Sequence, residues 1–284
     1  RKIRLKNKNF IKLCLNSKLS SEITLQPIKR FNVDSAIIFS DILMVPFALG
    51  QDVTFIKNKG PQLGKFNLDT FQNNNMKIFS RRLSPVYKAI ELTRRKLDKK
   101  KSLISFIGAP WTLLIYMFEL NKNKISIDFL DNKKSKLNLV IEQLIYYLCL
   151  HIKNQINSGA DVVQIFDSWA GLIPERSLNK YCYTPNKKIV DFCKKKKIPT
   201  ICFPKGIRKN YEKINKFVKP DGISLDYEIN PLWAKEKLKN VVIQGGLDPN
   251  FLLKSKEEMY KEATKYIETF KDIPYVFNLG HGLL

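Results

Sequence analysis

Tyr275-Val276-Phe277-Asn278-Leu279-Gly280-His281-Gly282 is an apolar run that stops at a histidine held between two glycines. A strand that ends this way bends sharply and leaves the imidazole at its C-terminal mouth, which is where a barrel enzyme keeps its chemistry. Taken alone, the segment fits equally well a histidine that only caps a turn. The same layout, however, recurs along the chain. Ser35-Ala36-Ile37-Ile38-Phe39 ends at Ser40-Asp41, Leu103-Ile104-Ser105-Phe106-Ile107 at Gly108-Ala109-Pro110-Trp111, and Asp161-Val162-Val163-Gln164-Ile165-Phe166 at Asp167-Ser168-Trp169. Pro199-Thr200-Ile201-Cys202-Phe203 ends at Pro204-Lys205-Gly206, Gly222-Ile223-Ser224-Leu225 at Asp226, and Asn240-Val241-Val242-Ile243-Gln244 at Gly245-Gly246-Leu247-Asp248-Pro249.

These runs are nearly all apolar instead of alternating, which predicts strands buried on both faces, hence a parallel sheet covered by helices. The segments between them, such as Lys136 to Ser158 and Lys254 to Asp272, carry the 3.6-residue spacing of helices lying on such a sheet. Repeated strand and helix units with polar residues at the strand ends predict an α/β fold, a (β/α)8 TIM barrel, of which seven strands are visible. A chain of 284 residues and 33.1 kDa suits one such domain over residues 1–284.

Composition narrows the setting. No uninterrupted apolar stretch of about 18 residues exists, so no membrane span is expected, and Arg1-Lys2-Ile3-Arg4 does not open a signal peptide. The five cysteines, Cys14, Cys149, Cys182, Cys193 and Cys202, are odd in number and irregular in spacing, as expected of reduced thiols in a cytoplasmic protein. The net charge of +24 comes from lysines scattered over helix faces and turns beside heavy use of Asn and Ile. This is the coat of an AT-rich genome more than a nucleic-acid footprint, although it would raise the encounter rate of a polyanionic substrate.

Five motifs at five strand ends stand in order: Phe39-Ser40-Asp41-Ile42-Leu43, Gly108-Ala109-Pro110-Trp111-Thr112-Leu113 with Tyr116-Met117, Phe166-Asp167-Ser168-Trp169-Ala170-Gly171, Gln244-Gly245-Gly246-Leu247-Asp248-Pro249, and Asn278-Leu279-Gly280-His281-Gly282. Together they resemble the uroporphyrinogen decarboxylase family, and Thr24-Leu25-Gln26-Pro27-Ile28 and Gly60-Pro61 fit the same pattern. The resemblance implies a cytoplasmic, homodimeric enzyme of haem and tetrapyrrole biosynthesis. It would use no cofactor, removing CO2 from each of four acetate side chains of uroporphyrinogen III to give coproporphyrinogen III. Family members begin with a further strand and an Arg-Gln-Ala-Gly-Arg loop. Against that pattern the first strand and last helix are expected to be missing here, leaving a domain truncated at both ends.

Loss of CO2 from an acetate needs an electron sink, and no cofactor motif supplies one. A pyrrole protonated on carbon serves as its own sink, and an acceptor-only carboxylate would stabilise that cation and take hydrogen bonds from the pyrrole N–H groups. Asp41 suits this role, with Phe39, Ile42 and Leu43 to keep water away; a helix N-cap is the simpler alternative. Tyr116 lies one and a half turns into the helix that Pro110 would open, within reach of a substrate carboxylate, or else is an amphipathic core tyrosine. The resemblance gives it, Ser168 and His281 substrate contacts and places Phe106 on the macrocycle; Ser168 could equally cap a helix, and Phe106 could be barrel core. Lys205, Asp226 and Asp248 read as loop structure, and His151 as a packed helix histidine.

The nearest rival is a zinc-dependent corrinoid or thiol methyltransferase of the same superfamily, which needs thiolate and imidazole ligands at the mouth. No cysteine stands two residues after either histidine, so no metal site is expected. A basic, non-catalytic binding protein on the same barrel is the second alternative.

Overall fold

The computed structural model describes residues 2–56, 60–121, 123 and 125–282. Its centre is one parallel sheet of seven strands in chain order: β1 (Ser35–Ile37), β2 (Ser102–Gly108), β3 (Val162–Asp167), β4 (Thr200–Pro204), β5 (Gly222–Leu225), β6 (Val242–Gly245) and β7 (Tyr275–Val276). Helix α1 (Ser17–Phe31) precedes β1, and α2 (Met76–Lys96) joins β1 to β2. Helices α3 (Pro110–Met117) and α4 (Lys134–Asn157) lie between β2 and β3, and α5 (Thr184–Lys195), α6 (Tyr211–Val218), α7 (Pro231–Lys237) and α8 (Lys256–Phe270) fill the next four connections.

The asparagine-rich composition serves these helices at their starts. Asn16, Asn75 and Asn230 each turn a side-chain oxygen onto an orphan N–H of the first turn, and Ser255 with Glu258 forms a reciprocal capping box on α8. No helix among the described residues is long and apolar enough to cross a membrane.

Strands β2 to β6 are buried on both faces along most of their length, as expected, though the two faces differ in detail. Side chains alternate across a strand. The face under the helices carries Leu103, Ser105, Ile107, Val163, Ile165, Asp167, Cys202, Ile223, Leu225 and Ile243, all buried. On the inner face Phe106 is in register with Gln164, and Phe166 with Phe203. There burial falls away: Phe106, Phe166 and Ile201 are half-buried, while Ile37 on β1 and Val276 on β7 are exposed. Gln164, Ser224 and Gln244 form a polar layer inside, Gln244 Nε2 donating to Ser224 Oγ at 3.3 Å.

The sheet is curled. β1 and β7 stand at opposite ends of its order, yet both line one cavity of about 910 Å³ together with Ile104, Gln244 and residues of α1. Both edges are short, and their inner residues are the exposed ones. An antiparallel hairpin, Val53–Ile56 with Gly60–Leu63, stands apart from this sheet and was not foreseen from the sequence.

Candidate active site

Because all seven strands run parallel, their C-terminal ends open on one mouth. Asp41 follows β1 there. Its Oδ1 accepts the Leu43 N–H at 2.8 Å and its carbonyl accepts the Met44 N–H at 3.2 Å, which opens the short helix Met44–Ala48. The N-cap alternative is not found, since Leu43 stands at the cap of that helix with no side-chain bond; the Asp41 side chain closes a local turn and occupies one carboxylate oxygen. No donor among the described residues reaches the other, Oδ2. Leu43 is buried, Phe39 and Ile42 are half-buried, and the Phe10 ring closes edge-on over Phe39 at 5.8 Å. Burial in this apolar setting pushes the Asp41 carboxyl up to about 6, with the Leu43 N–H pulling against it.

Helix α3 begins with Pro110 in its first turn, where a missing N–H costs nothing. Of its eight residues Tyr116 alone is not fully buried; its side chain packs against the core and reaches the turn after β3. Burial raises the Tyr116 phenol first; a hydrogen bond with Trp169 pulls it back, and the Asp41 charge pushes it up. Asp41 and Tyr116 thus lie within each other's field. The Tyr116 ring also meets the Trp169 ring edge-on at 6.1 Å, which joins α3 to the turn after β3.

That turn carries Ser168, half-buried between two anchored neighbours. Trp169 N donates to Thr112 Oγ1 at 3.2 Å, and Trp111 Nε1 donates to the Trp169 carbonyl at 3.0 Å. The expected N-cap role for Ser168 is not found: the short turn Ala170–Leu172 has Trp169 at its cap with no side-chain bond. Beside it the loops after β3 and β4 touch backbone to backbone, since a Cβ on Gly171 would lie 2.9 Å from the Gly206 oxygen. Phe106 sits on the inner face, edge-on to Phe166 at 5.6 Å, which in turn meets Phe203 at 6.1 Å. The three rings form an aromatic lining inside the sheet.

His281 is exposed at the end of β7. The Leu247–Leu279 bridge and the Gly280 N–H to Leu247 carbonyl bond of 2.7 Å carry the pairing with β6 beyond the strands, and Gly280 lets the chain pass over the Asp226–Tyr227 backbone. A Cβ there would come 2.5 Å from Tyr227 N. The glycine before His281 is thus explained by close approach. No hydrogen bond ties the imidazole to Asp41, Tyr116 or Ser168 among the described residues.

The remaining residues singled out from the sequence are structural. Asp226 is buried, its Oδ2 accepting from Gly206 N at 2.8 Å and Tyr211 OH at 3.0 Å, and its Oδ1 from Glu228 N at 3.1 Å. Asp248 holds the Asn250 N–H of a tight turn, and Lys205 contributes its backbone N–H to the Asp167 carbonyl. His151 is packed inside α4 between Tyr87 and Gln155, and burial drives its imidazole down to about 3, so it stays neutral. All five cysteines are free, and no group of three or more His, Cys, Asp or Glu among the described residues is placed to hold a metal. Asp167 was missed: it reads as part of a motif, but its side chain turns away from the mouth to Thr112 and Asn186.

Comparison with known proteins bears directly on this arrangement. The family model described as Uroporphyrinogen decarboxylase (URO-D) matches residues 1–284. A uroporphyrinogen decarboxylase of Orientia tsutsugamushi (strain Ikeda) is 42% identical over 290 residues, covering 99% of this chain and 84% of that protein. That of Rickettsia bellii (strain RML369-C) is 41% identical over 300 residues, again covering 99% and 84%. Among solved structures, a methyltransferase from Methanosarcina mazei superposes with a TM-score of 0.72 over 94% of this chain and 80% of its own, at 16% identity, which shows a shared fold.

Proposed function

The chain belongs to the uroporphyrinogen decarboxylase family, and from that premise we propose that Asp41 is the central catalytic group, with Tyr116, Ser168, His281 and Phe106 holding the substrate. The enzyme is a carboxy-lyase of tetrapyrrole biosynthesis: it converts the four acetates of uroporphyrinogen III to methyl groups, giving coproporphyrinogen III. At each acetate a proton adds to a pyrrole carbon and makes the ring cationic. The C–C bond to the carboxylate then breaks, CO2 leaves, and the bonding pair moves into the ring as an exocyclic double bond. A proton added at that carbon makes the methyl group, and the ring loses the proton it first took up. The net change is one proton consumed and one CO2 released.

The observation that carries this reading is the Asp41 carboxylate, one oxygen bonded by the Leu43 N–H and the other with no donor among the described residues. With its carboxyl raised to about 6 it is mostly ionised at neutral pH, an anion poised where the ring turns positive. At about 4 Å and an effective dielectric near 20 the attraction is roughly 4 kcal/mol, close to three orders of magnitude in rate. The aromatic lining that includes Phe106 supports an apolar macrocycle, and Tyr116, Ser168 and His281 offer donors to its carboxylates. The net charge of +24 draws in an octa-anion.

The proposal includes catalysis by side chains alone, with no cofactor or metal, a cytoplasmic homodimer, and a (β/α)8 barrel in which a further strand would fill the cavity between β1 and β7. The test is anaerobic turnover of uroporphyrinogen III after exhaustive chelation and desalting, with products oxidised and separated by carboxylate number. Undiminished tetracarboxylate formation is expected. Activity that vanishes on chelation and returns with zinc would overturn the side-chain mechanism.

A further inference from the structure

We infer that Asp167 is a positioning residue for this site: acting through Thr112, it fixes the spacing between the helix that carries Tyr116 and the turn that carries Ser168. The inference rests on the site assigned above and goes beyond it, because Asp167 itself points away from the mouth. It closes β3 on the helix-facing side at 1% exposure. Its Oδ1 accepts from Thr112 Oγ1 at 2.9 Å, and its Oδ2 accepts from Asn186 Nδ2 of α5 at 3.1 Å. No ion pair reaches it among the described residues.

A buried carboxylate with neutral partners alone is an expensive choice where a neutral side chain would pack as well. Its burial pushes the carboxyl up to about 6 despite donors at Thr112, Cys182 and Asn186. What an ionised acceptor provides is direction. Thr112 has one hydroxyl proton; given to Asp167, it leaves the oxygen lone pairs turned to the Trp169 N–H, which they accept at 3.2 Å. A proton on either oxygen of Asp167 would oppose a donor that now points at it, Thr112 on one side or Asn186 on the other. The anion accepts both at full strength, with no proton of its own to place.

The relay ends at the site. Trp169 is held at its N–H by Thr112 and at its carbonyl by Trp111, successive residues of α3, so Ser168 sits between two residues registered on one helix turn. Tyr116 lies four residues after Thr112, on the same helix face, and its ring touches Trp169. The titratable groups facing Asp167 are the Cys182 thiol of the turn Asn179–Tyr183 and the Cys202 thiol of β4, both kept protonated by burial.

The test uses the full chain with Asp167→Asn, Thr112→Val and Thr112→Ser, assayed with uroporphyrinogen from pH 5 to 9. Asp167→Asn and Thr112→Val are expected to raise KM about tenfold while kcat falls less than about threefold, and Thr112→Ser, which keeps the hydroxyl, should restore KM. On the acid side log kcat/KM should fall more steeply in the parent, where Asp41 and Asp167 both take up protons, than in Asp167→Asn, where only Asp41 does. A lowered melting temperature with unchanged KM and slope would reduce Asp167 to packing and overturn the inference. If Asp167→Asn does not fold, the Thr112 pair decides: equal KM for Val and Ser overturns it. Tyr116→Phe and Ser168→Ala serve as controls, since loss of effect there too would mean that the site assignment had failed, and not only this relay.

Discussion

Two turns at the same mouth, one after β1 and one after β3, each hold an aspartate whose carboxyl is pushed up to about 6, Asp41 half-buried and Asp167 fully buried, yet the two are partnered differently. Asp167 has a side-chain donor on each oxygen and faces the helices. Asp41 has a single backbone donor among the described residues and keeps an oxygen open. Burial alone therefore does not mark a catalytic carboxylate in this fold. The difference lies in unused acceptor capacity, which is what the role proposed for Asp41 requires.

The comparison is broken most directly at Asp41. Asp41→Asn should lower decarboxylation by at least about two orders of magnitude, since the amide loses the ion attraction. Its stability at pH 7 should stay level or rise. The sign follows from the raised carboxyl: about 6 when folded against an ordinary 3.8, so the contribution to stability is full below about 4 and is lost as pH climbs through 6. For a half-buried group the penalty at neutral pH is about 1–3 kcal/mol. Differential scanning calorimetry beside the assay checks both halves; near-normal turnover would remove Asp41 from the centre.

Asp226 sharpens the contrast from the other side. Asp226→Ala orphans the Gly206 N–H and the Tyr211 hydroxyl, and should cost about 2–3 kcal/mol of stability in urea unfolding. Tyr116→Phe should cost about tenfold in kcat/KM, since it removes one donor to a substrate carboxylate and spares the ring contact with Trp169. The smallest effect is expected at His281, which is exposed and tied to nothing at the site: His281→Ala should raise KM only a few-fold. A His281 effect larger than that of Tyr116 would mean that the bound complex draws the two strand ends together more than the present arrangement shows.

Much of this was legible in the amino-acid order. Runs such as Leu103–Ile107 and Gly222–Leu225 coincide with strands to within a residue or so, because Gly, Pro and Asp at their ends stop a buried strand abruptly. Tyr116 was placed by Pro110 opening its helix, and the structural fate of His151 by its apolar helical neighbours. The hairpin at 53–63 was not legible, since four-residue strands containing Gly60 and Pro61 carry almost no alternation. Nor was the relay from Asp167, whose partners lie 55 residues before it and 19 after it. Local pattern finds elements; it does not find long-range pairs or reveal which strand face stays open.

The contact between Gly171 and Gly206 bears on motion. Two loops whose backbones touch cannot swing apart without breaking the Gly171 N–H to Lys205 carbonyl bond of 2.9 Å, and neither can move inward past the other. On the microsecond to millisecond scale of loop opening they therefore move as one body.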